Sequence, residues 1–247
     1  MKVAIMADIH ANLPALEAVK QDFGEAGIGE IWNLGDTVGY GAEPFPCLQM
    51  MADLEALLIA GNHEQAACNL AEANGFNQTA AHAIRWTRDA LDPDTRQGLC
   101  ELPINATPHP GVFIFHGLPG NTTGYLRTAE TAQMVFDHLS DRDPRIRVGF
   151  FGHTHRPMIF THLPGSPVRM FEPGEELLLA SGRRYLVNPG SVGQPRNGDP
   201  NAQYIIFDKE EGRITFRKVP YNIEATQERI LQAGLSPSLA ARLSQGI

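Results

Sequence analysis

Val3-Ala4-Ile5-Met6-Ala7-Asp8-Ile9-His10 is the stretch that decides the fold. Five apolar residues run without a break and stop at a polar cluster. A short continuous apolar run of this kind fits a strand buried on both faces. The same pattern recurs along the chain. Residues 31–34 stop at Gly35-Asp36, 56–60 at Gly61-Asn62-His63, and 112–115 at His116-Gly117. Residues 148–151 stop at Gly152-His153-Thr154-His155, and 185–187 at Asn188-Pro189-Gly190.

Helical patterns lie between these runs. Leu13, Leu16, Val19 and Phe23 follow three-and-four spacing, with Asn12 as N-cap, Pro14 in the first turn, and Gly24 and Gly27 as stops. Further helices are expected over 44–54 and 129–139, with one or two over 63–91 broken near Gly75. The last third reads as short strands at 156–162, 168–172 and 176–180. Two more, 203–208 and 213–219, flank Glu210-Glu211-Gly212 as a hairpin, and a closing helix covers 226–233. Strand-helix alternation predicts an α/β fold built from two packed mixed sheets with helices outside. No repeat, low-complexity segment or linker interrupts it, so residues 1–247 are expected to form one domain.

The composition bounds the function. The formal net charge is −8 with His neutral. An acidic chain is a poor non-specific binder of nucleic acid or anionic membrane. Two bound divalent cations would halve that charge, so a local phosphate site remains compatible with it. The apolar N-terminus is too short for a signal peptide and no stretch suggests a membrane span, so a cytoplasmic protein is expected. The three cysteines, Cys47, Cys68 and Cys100, form no CxxC pair and read as reduced, buried thiols.

In open α/β sheets, ligands bind beyond the carboxyl ends of the strands. Here those ends bring Asp8, His10, Asp36, Asn62, His63, His116, His153 and His155 to one rim. Such oxygen and nitrogen donors suit Mn²⁺, Fe, Co²⁺, Ni²⁺ or Zn²⁺ rather than Ca²⁺ alone. Asp8/His10 and His153/His155 are i, i+2 pairs. In extended backbone both members of each pair face the same side. A lone DxH, GNH or HxH is weak, but the set at five run ends is specific. Two metals can clamp both sides of an in-line displacement and bring the pKa of bound water from about 15.7 toward about 7. The leaving alkoxide needs a proton, which an imidazole of ordinary pKa near about 6.5 can supply.

At this point the sequence resembles the calcineurin-like metallophosphoesterase superfamily. The carrying motifs are Asp8-Ile9-His10, Gly35-Asp36, Gly61-Asn62-His63-Glu64, His116-Gly117 and Gly152-His153-Thr154-His155, in that order. Residues 8–16, Gly39-Tyr40-Gly41 and residues 188–196 look like its small bacterial phosphodiesterase-type branch. The resemblance covers residues 1 to about 208 and implies an αββα four-layer sandwich. It implies that Asp8, His10 and His155 hold a first metal, that Asp36 bridges, and that Asn62, His116 and His153 hold a second. His63 would stand near the metals without binding them and act as general acid toward the phosphate or leaving group. The implied activity is hydrolysis of small phosphate mono- or diesters, with two divalent ions as cofactors.

The sequence departs from that pattern in two places. Protein Ser/Thr phosphatases of this superfamily carry Asp-Arg after their GD motif, whereas Thr37-Val38-Gly39-Tyr40-Gly41 follows here. The usual acidic orienter of the acid histidine and a phosphate-binding arginine are absent there, which turns the expectation away from protein phosphatases. Glu64 stands where the bacterial branch often has Asp. It fits the first turn of a helix and is assigned no catalytic role. Residues 188–191 read first as a tight turn, and Arg196 as either a substrate-phosphate contact or a surface ion pair. His82, His109, His138 and His162 read as surface or core residues. The rival to an enzyme is a catalytically silent scaffold for protein-protein interaction. That same fold serves so in a membrane-trafficking coat, where the acid histidine is missing. Substrate choice is expected to lie in residues 76–96, 120–127 and 163–184.

Overall fold

The computed structural model describes residues 1–24 and 26–247. Its first half runs β1 (Lys2–Met6), α1 (Leu13–Phe23), β2 (Ile28–Asn33), α2 (Pro44–Asp53), β3 (Leu57–Leu58), α3 (Asn62–Cys68), α4 (Gln78–Ala90), α5 (Pro93–Glu101), β4 (Asn105–His109) and β5 (Val112–Phe115). It continues through α6 (Ala129–Arg142), β6 (Val148–Phe151), β7 (Met158–His162), β8 (Arg169–Phe171), β9 (Glu176–Leu178) and β10 (Arg184–Asn188). The chain ends with β11 (Ala202–Asp208), β12 (Arg213–Val219), α7 (Ile223–Gln232) and α8 (Pro237–Ala241).

The strands form two six-stranded mixed sheets, ordered β3-β2-β1-β11-β12-β9 and β4-β5-β6-β10-β7-β8. β1, β2 and β3 run parallel in the first, and β5, β6 and β10 in the second. Successive side chains of a strand point to opposite faces, and each buried run splits accordingly. Val3 and Ile5 meet Ile114, Val148, Phe150 and Val187 in a core between the sheets. Ala4 and Met6 face the other way, under Leu16 and Val19 of α1 and Met51 of α2. Phe113, Phe115 and Phe151 pack under Val135, Phe136 and Leu139 of α6. The layers are therefore helix, sheet, sheet, helix, and the expected αββα sandwich is present.

Most expected elements appear within a residue or two. Asn12 caps α1 through its side chain, and the 63–91 segment breaks after a 3-10 turn, Leu70–Gly75. β3 retains only two residues of its apolar run, and β4, α5 and α8 were not anticipated. The reading of the cysteines is corrected. Cys100 is exposed, and it is joined to Cys68 by a disulfide that ties α5 to the end of α3; only Cys47 is a free, buried thiol. Sequence spacing carried no sign that these two helices lie side by side. Among the described residues no helix is long and apolar enough to cross a membrane.

Candidate metal centre

The carboxyl ends of the two parallel strand sets open onto the same edge of the sandwich. Asp8 and His10 follow β1, Asp36 follows β2, and Asn62 and His63 begin α3 after β3. From the second sheet, His116 follows β5, and His153 and His155 follow β6. All eight side chains are buried. The sheets are stitched together at this rim. Across the two sheets the Asp8 carboxylate accepts a hydrogen bond from His153 N at 3.1 Å, and on the first sheet's own rim Asp36 Oδ1 accepts one from His63 N at 2.9 Å.

The i, i+2 pairs do not achieve this in extended backbone, which corrects the sequence reading. Asp8, His10, Asp36, His153 and His155 all have φ between 50° and 67°. They are five of the eight non-glycine residues with positive φ among the described residues. Each such residue costs about 1–3 kcal/mol and persists only where its surroundings over-determine it. Here the surroundings are backbone bonds between loops. Asp8 N donates to Gly35 O, His10 N to Asp36 O, and Gly193 N to Asp8 O, at 2.9–3.0 Å.

The donor atoms form three overlapping groups. Asp8, His10 and His155 converge within 4.8 Å, as do Asp36, His116 and His153, and a third group of His10, Asp36 and His63 links the two. Asp36 Oδ2 lies 3.2 Å from His116 Nε2 and 3.7 Å from His10 Nε2, so it touches both groups. Asn62 Oδ1 is 3.1 Å from His116 Nε2. His63 Nε2 stands farther out, 4.0 Å from Asp36 Oδ2.

The ring tautomers show what the cavity is built to receive. His10 Nδ1 donates to Val38 O at 3.1 Å, His155 Nδ1 to Gln194 O at 2.6 Å, and His116 Nδ1 to Leu34 O at 2.8 Å. A carbonyl can only accept, so each ring carries a proton on Nδ1, and the neutral rings of His10 and His155 present a bare Nε2 lone pair to the cavity. The Nε2 atoms of His10 and His155 lie 3.1 Å apart. Two lone pairs at that distance repel unless a cation lies between them and the carboxylates. His153 Nε2 is buried with no partner at all. Oriented imidazoles with carbonyl-bound Nδ1–H are the usual arrangement behind a metal, so the residues fit divalent ions.

Electrostatics agree. Burial pushes the Asp8 carboxyl up to about 8, with the Asp36 charge adding to it. Burial also opposes charge on Asp36, but His116, His63 and His10 outweigh it and hold Asp36 well below the usual carboxylate range. Burial pulls His10 and His155 far down, His153 to about 3 and His63 to about 4. His116 alone rises, to about 9: burial opposes its charge, but Asp36 and Asp8 prevail. A bare cavity thus strains against its own carboxylates, and a cation relieves that strain.

His63 differs from the rest. Its Nδ1 is buried without a hydrogen-bond partner. Gly39, at φ +87°, packs directly on the ring, and a Cβ there would overlap Nδ1. Among the described residues no acidic orienter reaches this atom, as the sequence indicated. With no acceptor at Nδ1, the proton of the neutral ring sits on Nε2 and faces the cavity. The expected ordinary imidazole pKa is not found, because burial removes it.

Two features escaped sequence reasoning. Glu64 is fully buried and staples two loops through three backbone N–H groups. Its Oε2 accepts from Asp36 N and Gly61 N, both at 2.8 Å, and its Oε1 from Val38 N at 3.1 Å. Residues 188–194 are more than a tight turn. Asn188 Nδ2 donates to Gly152 O at 2.7 Å, Ser191 Oγ donates to Asp8 O at 2.7 Å, and Gln194 O receives His155. The segment braces the loops that carry Asp8, His153 and His155 from behind. Arg196, at its end, makes no ion pair among the described residues. It donates to Gln194 Oε1 at 2.8 Å and lines the cavity above the cluster. His82, His109 and His138 are exposed and His162 is half-buried, all outside the cluster.

Residues 1–212 match the model of the calcineurin-like phosphoesterase superfamily domain. The chain is 34% identical over 260 residues to an uncharacterized protein of Methanocaldococcus jannaschii, covering 99% of this chain and 98% of that protein. It is 26% identical to phosphodiesterase YfcE of Escherichia coli, covering 85% of this chain and 89% of the relative. Among solved structures it is similar to a metallophosphoesterase from Sphaerobacter thermophilus, with a TM-score of 0.83, 36% identity, and coverage of 100% of this chain and 99% of that one.

Proposed function

The chain belongs to the calcineurin-like phosphoesterase superfamily and is a metal-dependent phosphoric ester hydrolase; from that premise we propose that it hydrolyses small phosphate mono- or diesters at a dinuclear centre. Asp8, His10 and His155 would hold one ion, and Asn62, His116 and His153 the other. The observation that carries this is the placement of Asp36 Oδ2 between the two groups, 3.7 Å from His10 Nε2 and 3.2 Å from His116 Nε2. One carboxylate shared by two imidazole-rich groups is the arrangement of a bridging ligand. Bound divalent ions would supply Lewis acidity toward the phosphoryl oxygens and lower the pKa of water.

The chain's own residues supply the rest. The cavity above the cluster is about 420 Å³, and Arg196 is the cation on its wall. Among the described residues the arginine pairs with no carboxylate, so a phosphate oxygen is a suitable partner for it. In the net change, a P–O bond forms to water and the ester P–O bond breaks. His63 presents Nε2–H to the cavity and serves the leaving oxygen. Burial disfavours charge on its ring, and a phosphate anion beside it favours the protonated form.

Protein stripped with a chelator and reloaded with Mn²⁺, Fe, Co²⁺, Ni²⁺ or Zn²⁺ is expected to retain two ions per chain. It is also expected to hydrolyse p-nitrophenyl phosphate or its bis ester. Retention of a single ion would overturn the bridging assignment of Asp36. Stoichiometric metal without hydrolysis of either ester, for every metal, would overturn the assignment of His63 and leave a metal-bound scaffold.

A further inference from the structure

Two of the three segments in which substrate choice was expected meet at the cavity mouth. Phe76 comes from the turn before α4, and Tyr125 from the loop between β5 and α6. Each ring leans on a different histidine of the cluster. Phe76 lies 5.0 Å from the His63 ring centre. Tyr125 stacks on His153 at 4.2 Å with 27° between planes, and the Arg127 guanidinium sits 3.9 Å from its centre. The third segment, residues 163–184, contributes nothing to the cavity lining among the described residues.

The two rings are held in place from behind. Asn77, next to Phe76, caps α4 by accepting from Ala80 N at 2.9 Å. The Tyr125 loop is tied to α3 by the Thr122–Gln65 hydrogen bond and closed on itself by Asn121 Oδ1, which accepts from Thr123 N and Gly124 N. Yet Phe76 is only half-buried and Tyr125 is 44% exposed. With His153 on one face of Tyr125 and the Arg127 guanidinium on the other, Tyr125 offers its edge, and half-buried Phe76 is the ring open to a flat partner beside the cluster. The wall around Phe76 also carries the amides Asn74 and Asn77, which can meet the hydrogen-bonding edges of a planar ring, and the Glu72 carboxylate, which disfavours a second anionic group there.

We infer that Phe76 and Tyr125 are specificity determinants that select phosphate esters whose organic group carries a planar aromatic ring, which packs against Phe76 beside the leaving oxygen. This rests on the proposed phosphoesterase site, with the phosphoryl group on the cluster and the leaving side toward His63. Stacking of a base on an aromatic side chain is sequence-tolerant and strong enough for a preference on the order of tenfold.

The test compares substrates that differ only in the ring. Adenosine 5′-phosphate is set against ribose 5-phosphate, and benzyl phosphate against cyclohexylmethyl phosphate. The methyl diesters of each serve if the loaded enzyme prefers diesters. The wild type is expected to favour the ring-bearing member of each pair about tenfold or more in kcat/KM, and Phe76→Leu and Tyr125→Leu to bring that ratio toward one. Because the ratio is taken within one sample, partial misfolding cancels. Preference in the adenosine pair alone assigns the subsite to a nucleobase, and preference in both pairs to any aromatic ring. A wild-type ratio near one, or an unchanged ratio in both variants, overturns the inference while leaving hydrolysis intact. If no ester is turned over, the function itself fails, and calorimetric affinities of the same pairs for the metal-loaded protein decide the ring preference by the same ratio.

Discussion

Glu64 offers the most direct check that buried hydrogen bonding builds this site. Its carboxylate is 0% exposed and accepts three backbone N–H groups, from Asp36, Val38 and Gly61. These belong to the loop of the shared carboxylate and the loop that delivers Asn62. Glu64→Ala removes all three acceptors at once. An orphaned buried donor costs about 1–3 kcal/mol. Three of them, partly relieved by water entering the vacated space, give about 3–5 kcal/mol, a large share of the ~5–15 kcal/mol that holds a domain together. Glu64→Gln keeps one carbonyl oxygen for Asp36 N and Gly61 N and loses only the Val38 contact, so its cost should be under half as large. Urea unfolding of the metal-free proteins measures the difference. Metal content of the folded variants at low temperature measures its location, since Glu64→Ala should loosen the ion proposed for Asn62, His116 and His153 before the one proposed for Asp8, His10 and His155. A Glu64→Ala cost below about 1 kcal/mol would refute the reasoning, since even one unrelieved orphan exceeds that. Equal loss of both ions would show that Glu64 stabilises the fold without ordering this half of the site.

Two further outcomes follow from the same structure. His63→Ala should slow hydrolysis of alkyl esters by about 10²–10⁴-fold, the range of general-acid contributions, and of nitrophenyl esters much less. Matched kcat values on the two classes measure this, and equal losses would remove the proton-donor role. Asp22, held below the usual carboxylate range by its hydrogen bonds to Arg217, with Tyr204 adding to the effect, gives a pH signature. A depressed folded pKa means stability that is present above the unfolded pKa and lost as pH falls through the folded one. Asp22→Asn should therefore lower stability at pH ~7 by about 1 kcal/mol or less, as for a partly screened pair, and thermal melts should show the gap closing below pH ~3.8. A gap that persists in acid would exclude the ion pair as its source.

The elements hardest to read were those whose local signal was weak or absent. β4 carries Pro108 and polar residues and survives because it pairs with β5 at the sheet edge. α5 did have a signal, Asp92 followed by Pro93, and Asp92 does cap it by accepting from Thr95 N. β3 shrank to Leu57 and Leu58 because the backbone beyond it turns toward Gly61, whose close approach to Asp36 leaves no room for a Cβ. At the site, residue types and order were legible, since a strand buried on both faces is written as an unbroken apolar run and its end as a polar interruption. The mechanism of convergence was not. Asp8, His10, Asp36, His153 and His155 reach the centre through left-handed backbone that no local preference of Asp or His demands.

By itself the amino-acid order determined the layered α/β architecture, the donor side-chain types, and the spacing that places them at strand ends, because burial periodicity and donor chemistry are local properties. The tertiary structure alone decided which Nε2 atoms face one another, that Asp36 reaches both groups, and that Glu64 and residues 188–194 brace the loops. It also decided that His63 stands without a partner at Nδ1 and that Phe76 and Tyr125 flank the same opening. Each of these depends on contacts between segments distant in the chain. Their geometry is set by how the two sheets pack, and no window of sequence contains that information.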